Sequence, residues 1–130
     1  LQRDAEGASH DITIDVVRAV SVDDALAVGR AVARSNLFKA AVFGNDPNWG
    51  RILAAMGTAP GDFVVDQCDV SINGVRVCAA GQPDRPRSEV DMTPRAVHVE
   101  IDLRAGDASG VIWTNDLTHD YVHENSAYSS

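Results

Sequence analysis

The chain has 130 residues, 45% of them hydrophobic and only 5% aromatic, with a formal net charge of −8. That length supports one domain with a core of mostly Val, Ala, Ile and Leu. The acidic balance speaks against a nucleic-acid partner, whose phosphates need clustered Lys and Arg, and no apolar run approaches the ~20 residues that span a bilayer. Two cysteines do not make a disulfide scaffold, so a reducing, cytoplasmic setting is expected.

Leu1-Gln2-Arg3-Asp4 starts in the middle of a pattern, without a cap or turn signal. It reads as an internal break in a longer sequence, with a bare domain boundary as the alternative. Ile12, Ile14 and Val16 then alternate with Thr13 and Asp15, the period-2 pattern of a half-buried strand. Ser21 reads as an N-cap with acidic residues in the turn after it. Val22, Ala25, Leu26, Gly29, Val32 and Ala33 share one helical face, and this helix should end near Ser35-Asn36.

The apolar run Leu37 to Phe43 reads as a strand. Gly44-Asn45-Asp46-Pro47-Asn48 is a dense turn signal, with Pro47 set to open a second helix from Trp49 to about Met56. Asn73-Gly74 predicts a two-residue type I′ hairpin within Cys68 to Ala79. That turn pairs Ile72 with Val75, Val70 with Val77 and Asp69 with Cys78. Cys78 would then sit on the opposite face from Cys68, which argues against a disulfide.

Gln82 to Ser88, with two prolines, is expected to be an exposed loop. Val97 to Leu103 alternates as a strand, and Val111 to Thr114 reads as its returning partner. Asp116 is expected to cap a short C-terminal helix through Tyr121 and Val122. Together these elements predict an α+β fold, a mainly antiparallel sheet with two longer helices and a short C-terminal helix.

The chemistry-bearing residues are few. There is no G-x-S-x-G elbow, no cysteine in a known catalytic signature and no N-terminal Thr, Ser or Cys. His119 and His123 are four apart, as in H-E-x-x-H, but no Glu sits between them, so they read as surface histidines and no metal is expected. Gly44 to Arg51 lacks the phosphate-loop spacing. An anion-binding helix start there competes with a structural turn, and the turn is favoured. Glu6, in Arg3-Asp4-Ala5-Glu6-Gly7-Ala8, could hold a substrate ammonium, but on its own it reads as surface charge. Asn125 reads as a C-cap or a ligand donor, and Tyr128-Ser129-Ser130 as a tail.

Three segments taken together resemble one family. Val42-Phe43-Gly44-Asn45-Asp46-Pro47-Asn48-Trp49-Gly50-Arg51-Ile52-Leu53-Ala54-Ala55 resembles a hallmark block of the ornithine acetyltransferases, the arginine-biosynthesis enzymes that also act as glutamate N-acetyltransferases. Arg3 to Ala8 resembles an acidic-glycine block upstream in that family. Trp113-Thr114-Asn115-Asp116-Leu117-Thr118, Tyr121-Val122, Asn125 and Tyr128 resemble its C-terminal signature. The blocks follow the family order and span essentially the whole chain.

The resemblance implies a C-terminal β-chain fragment, residues 1–130, of a self-cleaving α/β sandwich enzyme. In that family a precursor cleaves before a Thr, which becomes the nucleophile. It takes acetyl from N-acetylornithine and passes it to glutamate. A Thr-Gly pair in the α chain forms the oxyanion hole. By motif, Glu6, Asn125 and Ser130 match substrate-contacting positions.

The implied partners are the α chain and the rest of the β chain, in a heterotetramer of two α and two β chains. No cofactor is implied, and acetyl-CoA is left open as a second donor. Two features depart from the family. The Thr, the oxyanion pair and a substrate-binding Lys all lie upstream and are absent here, so the chain alone should be inactive. Position 5 is Ala where many members have Gly. A non-catalytic binding or regulatory domain that shares the fold is the alternative reading.

Overall fold

The computed structural model describes residues 9–117 and the backbone of 123–125. Strand β1 is Asp11–Ala19 and helix α1 is Val22–Ala33. Helices α2, Asn36–Phe43, and α3, Trp49–Met56, follow. The remaining strands are β2 (Asp69–Ile72), β3 (Val75–Ala79), β4 (Gln82–Pro83), β5 (Ala96–Asp102), β6 (Ala108–Asn115) and β7 (His123–Asn125). They form one sheet in the order β4-β3-β2-β5-β1-β6-β7. Every neighbouring pair is antiparallel except β1 and β5, which run parallel. The fold is α+β with a mainly antiparallel sheet, as expected.

The alternation read in the sequence sets the two faces of the sheet. Ile12, Ile14 and Val16 of β1, Val97, Val99 and Ile101 of β5, and Ile112 of β6 are buried together with Leu26, Val28 and Val32 of α1. Thr13, Asp15, His98 and Glu100 alternate with them and are partly or wholly exposed. The helices therefore cover one face, and burial of their apolar side chains drives the layer together. Gly29 and Gly110 let α1 approach β6 closely: a Cβ on Gly29 would lie 2.6 Å from Ile112 Cγ1, and one on Gly110 would lie 2.9 Å from Leu26 Cδ2.

Local chemistry fixes the helix starts. The Ser21 hydroxyl accepts from the Asp24 N–H at 3.0 Å, and the Ser35 hydroxyl accepts from the Phe38 N–H at 3.1 Å. The second cap explains one correction. Leu37 to Phe43 is helical, not a strand, because Ser35 nucleates a turn and Phe38, Ala41 and Val42 then bury at helical spacing. A seven-residue apolar run does not distinguish a strand from a buried helix by pattern alone.

The hairpin has the predicted turn. Asn73 has φ 49° and Gly74 φ 85°, both in the left-handed region that a type I′ turn requires. Its register departs from expectation after two pairs. Ile72 faces Val75 and Ser71 faces Arg76, but Val70 faces Cys78. Val77 is the extra residue of a β-bulge, so Asp69 does not pair with Cys78. The bulge buries both Val77 and Cys78 and removes the register argument about the cysteines. Cys68 and Cys78 are nonetheless free thiols, the Cys78 Sγ lying 4.0 Å from the Cys68 carbonyl oxygen.

The stretch Gln82 to Ser88 is exposed as expected, though its first two residues pair with β3 as β4. The short helix expected through Tyr121 and Val122 falls outside the described residues. His123 lies on β7, paired with Trp113, so it does not share a helix face with His119. No described helix is long and apolar enough to cross a membrane.

Candidate functional site

Of the three predicted contact residues, Glu6 and Ser130 lie outside the described residues. Asn125 is the last residue of edge strand β7, its backbone paired with Val111. Val111 in turn pairs with Asp15 on β1. The structure thus places the Asn125 backbone beside the middle of β6.

The structure also brings together the entry to β1 and the exit of β6. His10 precedes β1, and Asp116 follows β6. The His10 backbone N–H donates to Asp116 Oδ1 at 2.9 Å, and His10 Nδ1 lies 3.0 Å from Asp116 Oδ2. His10 Nε2 lies 2.9 Å from the carbonyl oxygen of Met92, in the segment leading into β5. Both side chains are buried, with 5% of the imidazole and none of the carboxylate exposed.

The protonation follows from the partners. A carbonyl oxygen only accepts, so Nε2 carries a proton. Nδ1 is taken up by Asp116 Oδ2, so neither ring nitrogen is free for general-base work. Both Asp116 carboxylate oxygens are engaged by His10; the helix that Asp116 was expected to cap falls outside the described residues. The sequence reading passed over His10; its only signal was its place between the Arg3 to Ala8 block and a strand.

The hallmark segment is built as scaffold. Asn48 caps α3, its Oδ1 accepting from the Arg51 N–H at 3.1 Å, while its Nδ2 donates to Asp46 Oδ2 at 3.2 Å. Asp46 Oδ1 also pairs with Arg87 at 3.2 Å. The Arg51 guanidinium donates to the Leu37 carbonyl oxygen at 2.8 Å and ties α3 to α2. Pro47 precedes the cap rather than opening the helix. These contacts favour the structural turn over the anion-binding helix start.

A groove of about 650 Å³ lies elsewhere, on the outward side of α1 and α3, and includes Arg30, Arg34 and Arg51 above Ala27 and Ala54. Among the described residues, no group of three His, Cys, Asp or Glu side chains is placed to hold a metal ion. Neither thiol is a nucleophile: burial pushes Cys68 up to about 12, with Asp102 and Asp69 adding to it, and burial also raises Cys78.

The sequence profile of the ArgJ family matches residues 1–130. The chain belongs to the ArgJ family. It is 58% identical over 130 residues to the arginine biosynthesis bifunctional protein ArgJ of Streptomyces coelicolor, covering all of this chain and 34% of that protein. The ArgJ of Thermobifida fusca is 57% identical, with the same coverage, and that of Mycobacterium leprae is 49% identical over all of this chain and 32% of its own length. The chain therefore spans about a third of the length of the curated relatives it matches. The crystal structure of arginine biosynthesis bifunctional protein ArgJ from Bacillus halodurans is also similar, with a TM-score of 0.79 at 30% identity, covering 92% of this chain and 58% of that one. The resemblance read from the three sequence blocks is thus a family membership, and the α+β architecture is shared with a solved ArgJ.

Proposed function

We propose that this ArgJ-family chain is the C-terminal part of an acetyltransferase that moves acetyl from N-acetylornithine to glutamate. The observation that carries the reading is the family match over the whole chain to relatives about three times as long and named for arginine biosynthesis. In this reading a Thr upstream of Leu1 attacks the acetyl carbonyl of N-acetylornithine. The C–N bond breaks, the ornithine amine leaves with a proton, and an acetyl-threonine remains. The glutamate amine then attacks that ester, and the Thr oxygen recovers a proton. Acetyl-CoA is a second donor to test.

This chain supplies contacts rather than the nucleophile. Ornithine and glutamate share an α-amino and an α-carboxylate group. Glu6 pairs with the ammonium of the amino acid before it is deprotonated to attack or after it has left, while Asn125 and Ser130 donate to the carboxylate. The missing nucleophile, oxyanion pair and Lys come from the α chain and the rest of the β chain, in a cytoplasmic assembly of two α and two β chains.

Glu6→Ala in the full-length enzyme tests the reading. Losing a charge-assisted bond worth about 1.5–3 kcal/mol should lower kcat/KM by about tenfold to a hundredfold with self-cleavage intact. Unchanged kinetics would remove Glu6 from the site. The isolated 130 residues should transfer no acetyl, and measurable transfer would overturn the division of roles.

A further inference from the structure

We propose that the groove on the outward side of α1 and α3 is a binding site for an organic phosphate of the nucleotide class, held by Arg30, Arg34 and Arg51. Nothing in it depends on the acetyl-transfer reading. Ala27, Arg30 and Arg34 follow one another at intervals of three and four residues, so they form one stripe along α1. That stripe lies opposite the buried one of Ala25, Leu26, Val28 and Val32. Arg51 and Ala54, three apart on α3, supply the other wall. The space between them is about 650 Å³, within the range of roughly 300–1,000 Å³ that small-molecule sites occupy.

The sign of the charge is the decisive feature. The chain carries 19 acidic residues against 11 Lys and Arg. Three arginines nevertheless line this groove and, among the described residues, no Asp or Glu does. Arg30 and Arg34 stand one helical turn apart, where like charges repel. The C-terminal end of α1 offsets part of that repulsion, because the helix dipole favours cations there. Arg51 has no such help: it stands in the first turn of α3, at the positive end of that helix. Its guanidinium is pinned by donating to the Leu37 carbonyl oxygen at 2.8 Å. Among the described residues that is its one side-chain bond, and Arg34 makes none. The other N–H groups of a fork held in this way are donors already aimed for an anion.

The charge count selects the ligand. A carboxylate brings one negative charge, whereas a phosphate monoester carries about −1.5 to −2 near neutral pH. Its oxygens also accept the two parallel bonds of an Arg fork. The remaining lining includes Ala27, Ala54 and Pro60, whose side chains offer no hydrogen bond. Such a floor suits a flat ring, and a guanidinium plane stacks on one. A phosphate joined to a flat ring meets both demands. The arginine side chains hold it, not the start of α3, where the Arg51 N–H is taken by the Asn48 cap.

Isothermal titration of the full-length enzyme with ADP, inorganic pyrophosphate and adenosine tests the assignment. ADP should bind saturably and more tightly than either fragment, since pyrophosphate lacks the ring and adenosine lacks the anion. Added salt should weaken ADP binding, because the guanidiniums are open to solvent. Arg34→Glu should weaken it by about tenfold or more. Arg85→Glu makes the same change in net charge outside the groove and should alter Kd by less than about twofold. Arg34 is exposed, so its variants should keep the wild-type Tm; Arg34→Gln, which loses the charge but not the length, serves if the reversal does not fold and should also weaken ADP binding by about tenfold. The absence of saturable ADP binding overturns the proposal. Pyrophosphate or adenosine binding as tightly as ADP overturns it too, as does an equal loss of affinity in Arg34→Glu and Arg85→Glu.

Discussion

The close approach of α1 to β6 makes Gly29 a sharp test of the packing. An added Cβ would sit 2.6 Å from Ile112 Cγ1, 3.4 Å from Ile112 Cβ and 3.7 Å from Val16 Cγ2. Carbon atoms pack best at about 3.5–4.0 Å, so the first contact overlaps by about 1 Å. Ile112 is fully buried on a strand paired on both sides, so it has little room to withdraw. Overpacking of this kind costs about 1–3 kcal/mol, against about 1 kcal/mol returned by the better helix propensity of Ala. Gly29→Ala alone should therefore be neutral to destabilising by about 2 kcal/mol. Ile112→Ala alone should cost about 2–5 kcal/mol. In the Ile112→Ala background the clash is gone, and Gly29→Ala should stabilise by about 1 kcal/mol. The propensity gain is common to both backgrounds and cancels in the cycle, which leaves a steric coupling of about 1–3 kcal/mol. Urea unfolding, followed by Trp49 and Trp113 emission, measures all four corners. Additivity within about 0.5 kcal/mol would refute the claim that α1 rests directly on Ile112.

Three further outcomes follow from the same coordinates. Gly106→Ala should be worse tolerated than Gly29→Ala, because its Cβ would lie 2.5 Å from the Ala19 carbonyl oxygen and 2.8 Å from Val20 Cα, both backbone atoms that cannot swing aside; a smaller loss in the same urea assay would count against this. Asn48→Ala removes the α3 cap and should cost about 1 kcal/mol, while Asn48→Asp, which keeps an accepting oxygen, should cost little. Neither Cys68 nor Cys78 should react with iodoacetamide at pH 8 in the native protein, and both should react in denaturant. The raised Cys68 value also fixes a sign: the folded state keeps its proton up to about 12 while the unfolded chain loses it near 9, so this contribution is complete below about pH 9 and is lost as pH rises further. Urea midpoints that rise with pH above 9 would contradict it.

The fold was legible where one face of an element is buried and the other wet. The alternation Ile12-Thr13-Ile14-Asp15-Val16 gave β1, the apolar spacing after Ser21 gave α1, and Asn73-Gly74 gave the hairpin turn. The signal failed where burial is nearly continuous. Leu37 to Phe43 is apolar enough for either state, and the decisive residue was Ser35, two positions upstream. The Val77 bulge was invisible because both Val77 and Cys78 tolerate burial, so no polar residue marks the slip. The parallel pairing of β1 with β5 joins strands 77 residues apart, counted from Ala19 to Ala96, beyond the reach of any local pattern. The same distance problem hid the His10–Asp116 junction: each residue has an ordinary local reading, and only the sheet brings them within 3 Å.

The segment that revealed the family is not the segment that carries the proposed chemistry. In 42–55, the polar side chains Asp46, Asn48 and Arg51 are spent on the turn, the α3 cap and the link to α2. They are specific because a short helix between a tight turn and a neighbouring helix admits few solutions. The proposed contacts lie near the two ends of the chain, where local pattern is weakest. Such ends can act in concert only if something fixed joins them. The sheet does part of this, since β1 is paired along its length with β6. The remaining freedom lies at the strand ends, just beyond the last ladder bonds, and that is where the imidazole of His10 and the carboxylate of Asp116 are buried against each other. At this position the pair closes the end of the β1–β6 ladder, where a missing partner would leave the buried polar atoms of His10 and Asp116 unsatisfied.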